Sequence, residues 1–322
     1  MTDRIFLEDV GTPHSANALG RAKAWKVRHL RNDPSLPPLI YVVESDVSQQ
    51  LLLGREISGR PKFNMIRYLA KSFVDLFFEE LSGKACSQYL ILRGAYPFDL
   101  QYAIGCTPPY ETILLPTGFM KLQRVLNPEG TGWEIQGQNF IGEYQGDTWL
   151  IPDPVIASGS TIAFFLRNGF DHHRPERVYV ITAFGSLEGL QRIYQECLER
   201  GVELIPVLFQ CIFQVSKVGN LPGRPLTDLS VLNSGSITTR QFYEKASHRY
   251  QGKPMCCVGD ISKSLDDPIQ YSIETLWEME RLRMDPKKEN WDGWTINIRE
   301  EAFKKRVLDF NPDLFDYFKE IW

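Results

Sequence analysis

Between residues 63 and 208 the chain alternates two hydrophobic periods, and this alternation restricts the fold more than any other feature. Residues 63–81 place Ile66, Leu69, Ala70, Phe73 and Phe77 on one stripe at helical spacing. Short apolar runs fall near 88–92, 111–115, 148–152, 178–184 and 203–208, and residues 160–170 and 186–200 return to helical spacing. Strands joined through helices pair in parallel, so the expected fold is α/β: a parallel sheet with helices on both faces. Ligands in such sheets bind beyond the carboxyl ends of the strands. Arg93 and Asp153 both stand at predicted strand ends.

The segment after Asp153 is the richest in chemistry. Trp149, Leu150 and Ile151 form an apolar run, Asp153-Pro154 ends it, and Ala157, Ser158, Gly159, Ser160 and Thr161 follow. Ile162, Phe165, Leu166 and Phe170 then repeat at helical spacing. Small residues let backbone amides converge on an anion, and the helix start adds unpaired N–H groups and the positive end of its dipole. The hydroxyls of Ser158, Ser160 and Thr161 can donate as well. A plain strand–turn–helix with a capping serine uses the same residues. No Gly-Lys-Ser/Thr follows and no G-x-G-x-x-G opens the first helix, so neither a P-loop nor a dinucleotide fingerprint is present.

The loop resembles the PRPP-binding loop of type I phosphoribosyltransferases. Its Asp153-Pro154 is similar to the Asp-Pro form of the uracil phosphoribosyltransferases. Other segments extend the likeness over roughly residues 50–215. Gln88 to Leu92 leads into Arg93-Gly94, like the family's strand before its diphosphate loop. Residues 124–144, with the turn Pro128-Glu129-Gly130-Thr131-Gly132, stand where the family has a hairpin arm. Gly185-Ser186-Leu187-Glu188-Gly189-Leu190 resembles the family's Ala-Pro-Glu-Gly-Leu turn.

The resemblance implies transfer of a phosphoribosyl group from PRPP to a nitrogen heterocycle, uracil-like or another aromatic base, with release of diphosphate. Residues 157–161 would hold the 5′-phosphate, and Asp153 would bind the ribose hydroxyls. Arg93, Gly94 and Arg124 would hold the diphosphate, with Arg93 and Asp153 as the catalytic pair. Mg²⁺ would be carried mainly by PRPP, because Pro154 stands where most of the family has a second acid. On the base side two stretches compete, Gly259-Asp260 and Gly223 with Asp228. A homodimer is the family expectation. The same fold can also serve as a catalytically inactive nucleotide- or PRPP-binding regulator, and the departures on the base side leave that alternative open.

A chain of 322 residues can bury a large core. The expected organisation is an N-terminal addition over 1–50, a core over 51–215 with its arm at 124–144, and a base-side hood with a helical extension over 216–322. A net charge of −4 with no long basic run argues against nucleic acid as a partner. No apolar stretch approaches the ~18 residues of a membrane span. No signal pattern opens the chain, and none of its six cysteines forms C-x-x-C, so a cytoplasmic protein with reduced thiols is expected. No metal site is expected: His172-His173 has no spaced carboxylate or cysteine beside it and reads as helix-end solvation. Asp266-Asp267 before Pro268 reads as a helix cap.

Overall fold

The computed structural model describes residues 5–9, 22–29, 34–54, 57–92, 94–107, 113–126, 133–215, 222–225, 242, 267–281, 300–313 and 315. Its strands are β1 Ile5–Asp9, β2 Lys23–His29, β3 Tyr41–Glu44, β4 Cys86–Leu92, β5 Thr117–Leu126, β6 Trp133–Ile141, β7 Thr148–Pro152, β8 Val155–Ile156, β9 Arg177–Thr182, β10 Phe184–Ser186, β11 Glu203–Phe209, β12 Ile212–Val215 and β13 Pro222–Pro225. Its helices are α1 Asp46–Leu53, α2 Gly59–Leu81, α3 Leu100–Gly105, α4 Ser160–Phe170, α5 Leu187–Arg200, α6 Pro268–Arg281 and α7 Glu301–Phe310.

The central sheet has nine strands in the order β1-β2-β3-β11-β9-β7-β4-β5-β6. From β3 across to β5 every neighbour is parallel, and antiparallel pairs close both edges. Alternation along each strand divides the core. Tyr179 and Ile181 of β9 and Ile205 and Val207 of β11 pack with α1, α2, α3, α6 and α7. Val178, Val180 and Leu204 pack with α4 and α5, through Ile162, Phe165, Leu166, Ile193 and Cys197. Helices therefore cover both faces, the arrangement that a sheet of continuous apolar strands requires.

A second sheet, ordered β13-β12-β10-β8, continues the first. Strands β11, β9 and β7 each break and resume as β12, β10 and β8 in the same order. The breaks differ in kind. Pro154 interrupts β7 with no N–H to donate. In β9 the break falls at Ala183, and the Phe184 N–H beyond it is shared between the Pro154 carbonyl at 3.1 Å and the Thr182 hydroxyl at 3.2 Å. In β11 a three-residue turn closes from Cys211 N–H to the Phe209 carbonyl at 3.0 Å, with Gln210 at φ 74°. That backbone is strained for a residue with a side chain.

The structure changes several sequence expectations. The strand expected near 111–115 begins instead at Thr117. Residues 111 and 112 lie outside the described residues, and the segment from Ile113 is tied to α3: Gln101 donates to the Ile113 carbonyl at 3.1 Å and accepts from the Leu115 N–H. The hairpin expected from 124 starts earlier, because β5 also pairs with β4 from Gln88↔Thr117 to Leu92↔Lys121. It thereby belongs to the central sheet. Residues 1–50, expected to pack on the core, contribute three strands to the sheet itself. The helix expected to begin at 63 starts at Gly59, a turn earlier.

Candidate functional site

Strand β7 is fixed from below by Trp149 and Ile151, both buried against α4 and α5. Asp153 follows at its carboxyl end, half-buried. Its N–H donates to the Ile181 carbonyl at 2.9 Å, and its carboxylate accepts from the Val155 N–H at 3.3 Å. The acid is thus held in a turn across Pro154 at the break between the two sheets. Strand β8 then runs beside β10, with Val155↔Phe184 and Ile156↔Gly185, and delivers Ala157, Ser158 and Gly159 to the start of α4.

Gly159 caps α4 in the left-handed conformation, φ 69°, and among the described residues no side chain accepts from the helix's first N–H groups. Other helix starts differ among themselves: α2 and α7 also lack a side-chain cap, whereas α1 and α5 have one. Ser45 accepts from Ser48 N–H at α1, and Ser186 accepts from Gly189 N–H at 2.9 Å at α5. At α4 the first amides remain open to an anion, reinforced by the helix dipole. The loop around them is closely built. A Cβ on Gly159 would lie 2.4 Å from the Gly189 carbonyl oxygen, and one on Gly189 would lie 2.5 Å from the Ala157 carbonyl oxygen. The Ser186 hydroxyl, while capping α5, donates to the Ala157 carbonyl. Residues 185–189 are therefore the wall against which residues 157–159 are set.

Ser158 and Ser160 bring their hydroxyl oxygens within 3.0 Å of each other, and the Arg192 guanidinium donates to the Ser160 hydroxyl. Thr161 occupies the next helical position, half-buried. All five residues expected of the cradle stand together at one helix start, with Asp153 at the head of the short strand that leads to them. Arg192 escaped the sequence reading. Its only signal there is its spacing, three residues beyond Gly189 and so on the same helical face.

Strand β4 adjoins β7, with Gln88↔Leu150, so Gly94 stands just beyond the carboxyl end of the strand beside Asp153's. The loop after it is pinned by Gln88, which donates to Asp99 at 2.6 Å and accepts from the Leu100 N–H at 3.0 Å. Arg93 lies outside the described residues. Arg124 is on β5 opposite Ile135. On the base side Gly259, Asp260 and Asp228 lie outside the described residues, and Gly223 is on β13, paired with β12. Among the described residues no group of three or more His, Cys, Asp or Glu could hold a metal ion. His172 stacks on Tyr144 with ring centroids 5.4 Å apart, and His173 reaches the Gly146 carbonyl at 3.0 Å. The pair thus packs on the aromatic cluster beneath β7. Among the described residues no helix is long and apolar enough to cross a membrane.

No family model matches the chain, and no curated protein matches it. Among solved structures the chain is similar to a hypoxanthine phosphoribosyltransferase from Staphylococcus aureus, at 16% identity and a TM-score of 0.29, over 36% of this chain and 61% of that one. It is also similar to a mutant hypoxanthine phosphoribosyltransferase from Trypanosoma cruzi in complex with its product IMP. Identity there is 13% and the TM-score 0.31, over 48% of this chain and 78% of that one. The Staphylococcus match thus spans less than two thirds of that enzyme. Likenesses this distant carry no argument about activity, which rests on the residues themselves.

Proposed function

We propose that this protein transfers a phosphoribosyl group from Mg²⁺–PRPP to a nitrogen heterocycle and releases diphosphate. The observation that carries the reading is the pairing of Asp153 with the open α4 start: the acid at the end of β7, and two residues of β8 later a glycine-lined loop whose amides have no cap. In this reading residues 157–161 receive the 5′-phosphate, and Asp153 accepts from the ribose hydroxyls. Arg93, Gly94 and Arg124 meet the diphosphate. Gly259 and Asp260, or Gly223 and Asp228, orient the acceptor, which is uracil-like or another aromatic base.

The chemistry asks little of the protein beyond placement. The C1–O bond of PRPP breaks and diphosphate leaves with its electron pair. The acceptor nitrogen bonds to C1, and its proton passes to solvent or to the departing diphosphate. Positive charge develops on the ribose ring at the transition state, and a fixed carboxylate at Asp153 stabilises it. Arginine at the diphosphate supplies paired donors to a leaving group that gains charge. Because Pro154 follows Asp153 where a second acid would stand, Mg²⁺ would be carried into the site mainly by PRPP. A homodimer in the cytoplasm completes the proposal.

The test is calorimetry of PRPP with Mg²⁺ on wild type and Asp153→Asn, followed by a screen of heterocycles for diphosphate release. Binding weakened by the substitution, together with release for one acceptor, supports the transferase. Binding without turnover for any acceptor assigns the protein as a PRPP-responsive regulator. Absence of PRPP binding overturns the donor site.

A further inference from the structure

We infer that Arg192 is a ligand of the phosphomonoester bound at residues 157–161, an inference that rests on reading those residues as a phosphate cradle. Arg192 lies three residues beyond Gly189 on α5, and residues at that spacing share a helical face. Gly189 is the point at which α5 touches the cradle backbone. The same face therefore carries an exposed guanidinium to the cradle's mouth, where it donates to the Ser160 hydroxyl.

The other arginines of α4 and α5 behave differently. Arg167 closes on Glu196, its Nε at 3.2 Å from the carboxylate, and Arg200 closes on Asp171 at 3.1 Å. Two carboxylates stand one turn from Arg192 on α5, Glu188 before it and Glu196 beyond it; Glu196 is turned to Arg167, and among the described residues Glu188 forms no ion pair with Arg192. Among the described residues Arg192 forms no ion pair; its partner is a neutral hydroxyl, which in turn meets Ser158 at 3.0 Å. Guanidinium N–H groups thus remain for an anion, beside two hydroxyls and the uncapped amides of α4.

A phosphomonoester dianion fits this set. It presents three oxygens to a planar fork, two hydroxyls and backbone N–H groups, and it gains its second charge near a pKa of about 6. On binding, the Ser160 hydroxyl changes from accepting Arg192's proton to donating its own to phosphate, and Arg192 moves from the hydroxyl to the charged oxygens. The donor's diphosphate, at the other end of the ribose, does not meet Arg192.

The test is calorimetry with ribose 5-phosphate and with Mg²⁺–diphosphate on wild type, Arg192→Gln, Arg192→Lys and Asp153→Asn. Arg192→Gln is expected to weaken ribose 5-phosphate about tenfold or more, the loss of one charge-assisted hydrogen-bonded contact, while diphosphate affinity stays at the wild-type value. Arg192→Lys keeps the charge without the fork and is expected to fall between. Because Arg192 is exposed, thermal midpoints of both variants should match wild type. Equal ribose 5-phosphate affinity in wild type and Arg192→Gln overturns the inference and leaves the transferase reading standing if Asp153→Asn still weakens binding. Failure of wild type to bind ribose 5-phosphate overturns both.

Discussion

Replacing Gly159 by alanine tests the cradle directly. The substitution has two costs. At φ 69° any side chain pays the left-handed penalty, ~1–2 kcal/mol. The new Cβ would also lie 2.4 Å from the Gly189 carbonyl oxygen, 2.9 Å from its Cα and 3.0 Å from its carbonyl carbon. All three are backbone atoms, so no side chain can swing away, and relief requires α4 and α5 to separate at their starts. Overpacking of this kind costs ~1–3 kcal/mol, for a total of ~2–5 kcal/mol. Gly83→Ala isolates the first cost, since Gly83 has φ 75° and nothing within 4 Å of an added Cβ. Both variants lose the same glycine entropy from the unfolded chain, so the difference between them reports the clash alone. In thermal unfolding, at roughly 2 °C per kcal/mol for a chain of this size, Gly159→Ala should fall about 2–6 °C below Gly83→Ala. It should also lose PRPP affinity, whereas Gly83→Ala should not. Equal midpoints for the two variants, with PRPP binding intact in both, would refute the close Gly159–Gly189 approach and the amide cradle built on it.

Three further outcomes follow from the same structure. Asp267 caps α6, accepting from Gln270 N–H at 3.1 Å, and pairs with Arg306 of α7 at 3.2 Å, whose hydrogen bond holds the carboxyl below its usual range. A depressed folded value means the stabilisation is present above the unfolded pKa of ~4 and disappears as pH falls through the folded value. Asp267→Asn should therefore lower the urea midpoint at pH 7 by an amount equivalent to ~1 kcal/mol, and its gap from wild type should narrow at pH 3; a gap that is unchanged with pH would sink the ion-pair account. Burial pushes the Cys86 thiol up to about 11 and the Cys197 thiol higher still, whereas Cys106 is exposed. Brief alkylation at pH 8 with peptide mapping should modify Cys106 and spare Cys86 and Cys197, and rapid labelling of Cys197 would contradict the packing of α5. Phe165 is fully buried with its ring 5.2 Å from Tyr89 and 5.8 Å from Trp149. Phe165→Ala should cost ~3–5 kcal/mol, read as a fall in the unfolding midpoint, and a loss under 1 kcal/mol would mean that α4 is not seated on β7 as described.

The parallel core was legible because its signals are local. The stripe of Ile66, Leu69, Phe73 and Phe77 faces the sheet, and the apolar runs at 148–152 and 203–208 lie within strands. The helix starting at Ser160 and the one beginning at Leu187 lie within a residue of their expected starts, because small residues and hydroxyls mark helix starts. Partnership along the edges was not legible. Residues 23–29 read Lys-Ala-Trp-Lys-Val-Arg-His, a strand with few apolar positions that becomes one through pairing with β3. Likewise the small residues and hydroxyls at the start of α4 could be named from sequence, but not their close approach to Gly189 or the reach of Arg192. Those depend on where one helix start meets another.

The second sheet sets Asp153 and the start of α4 at the two ends of one short strand. In a regular parallel strand Asp153 would lie in the ladder with its side chain against a covering helix. Three adjacent strands instead bend at the same level: β7 at Asp153-Pro154, β9 at Ala183 and β11 at Gln210. Only the first break is written plainly in the sequence, as a proline; at the second the Phe184 N–H is shared between the Thr182 hydroxyl and the Pro154 carbonyl, and the third lies at a strained backbone at Gln210. Because neighbours break together, the strands resume pairing as β8, β10 and β12. Across the bend the Asp153 N–H donates to the Ile181 carbonyl at 2.9 Å and the Phe184 N–H to the Pro154 carbonyl at 3.1 Å, so backbone pairing is kept there. What the bend gains is placement. The carboxylate of Asp153 is held by Val155 N–H at the bend, and the two residues of β8 then span the distance to the cradle. Under the transferase reading the ribose hydroxyls would meet Asp153 at one end of β8 and the 5′-phosphate the start of α4 at the other. Restoring a continuous strand, by Pro154→Val, is then expected to disturb sugar and phosphate binding together rather than either alone.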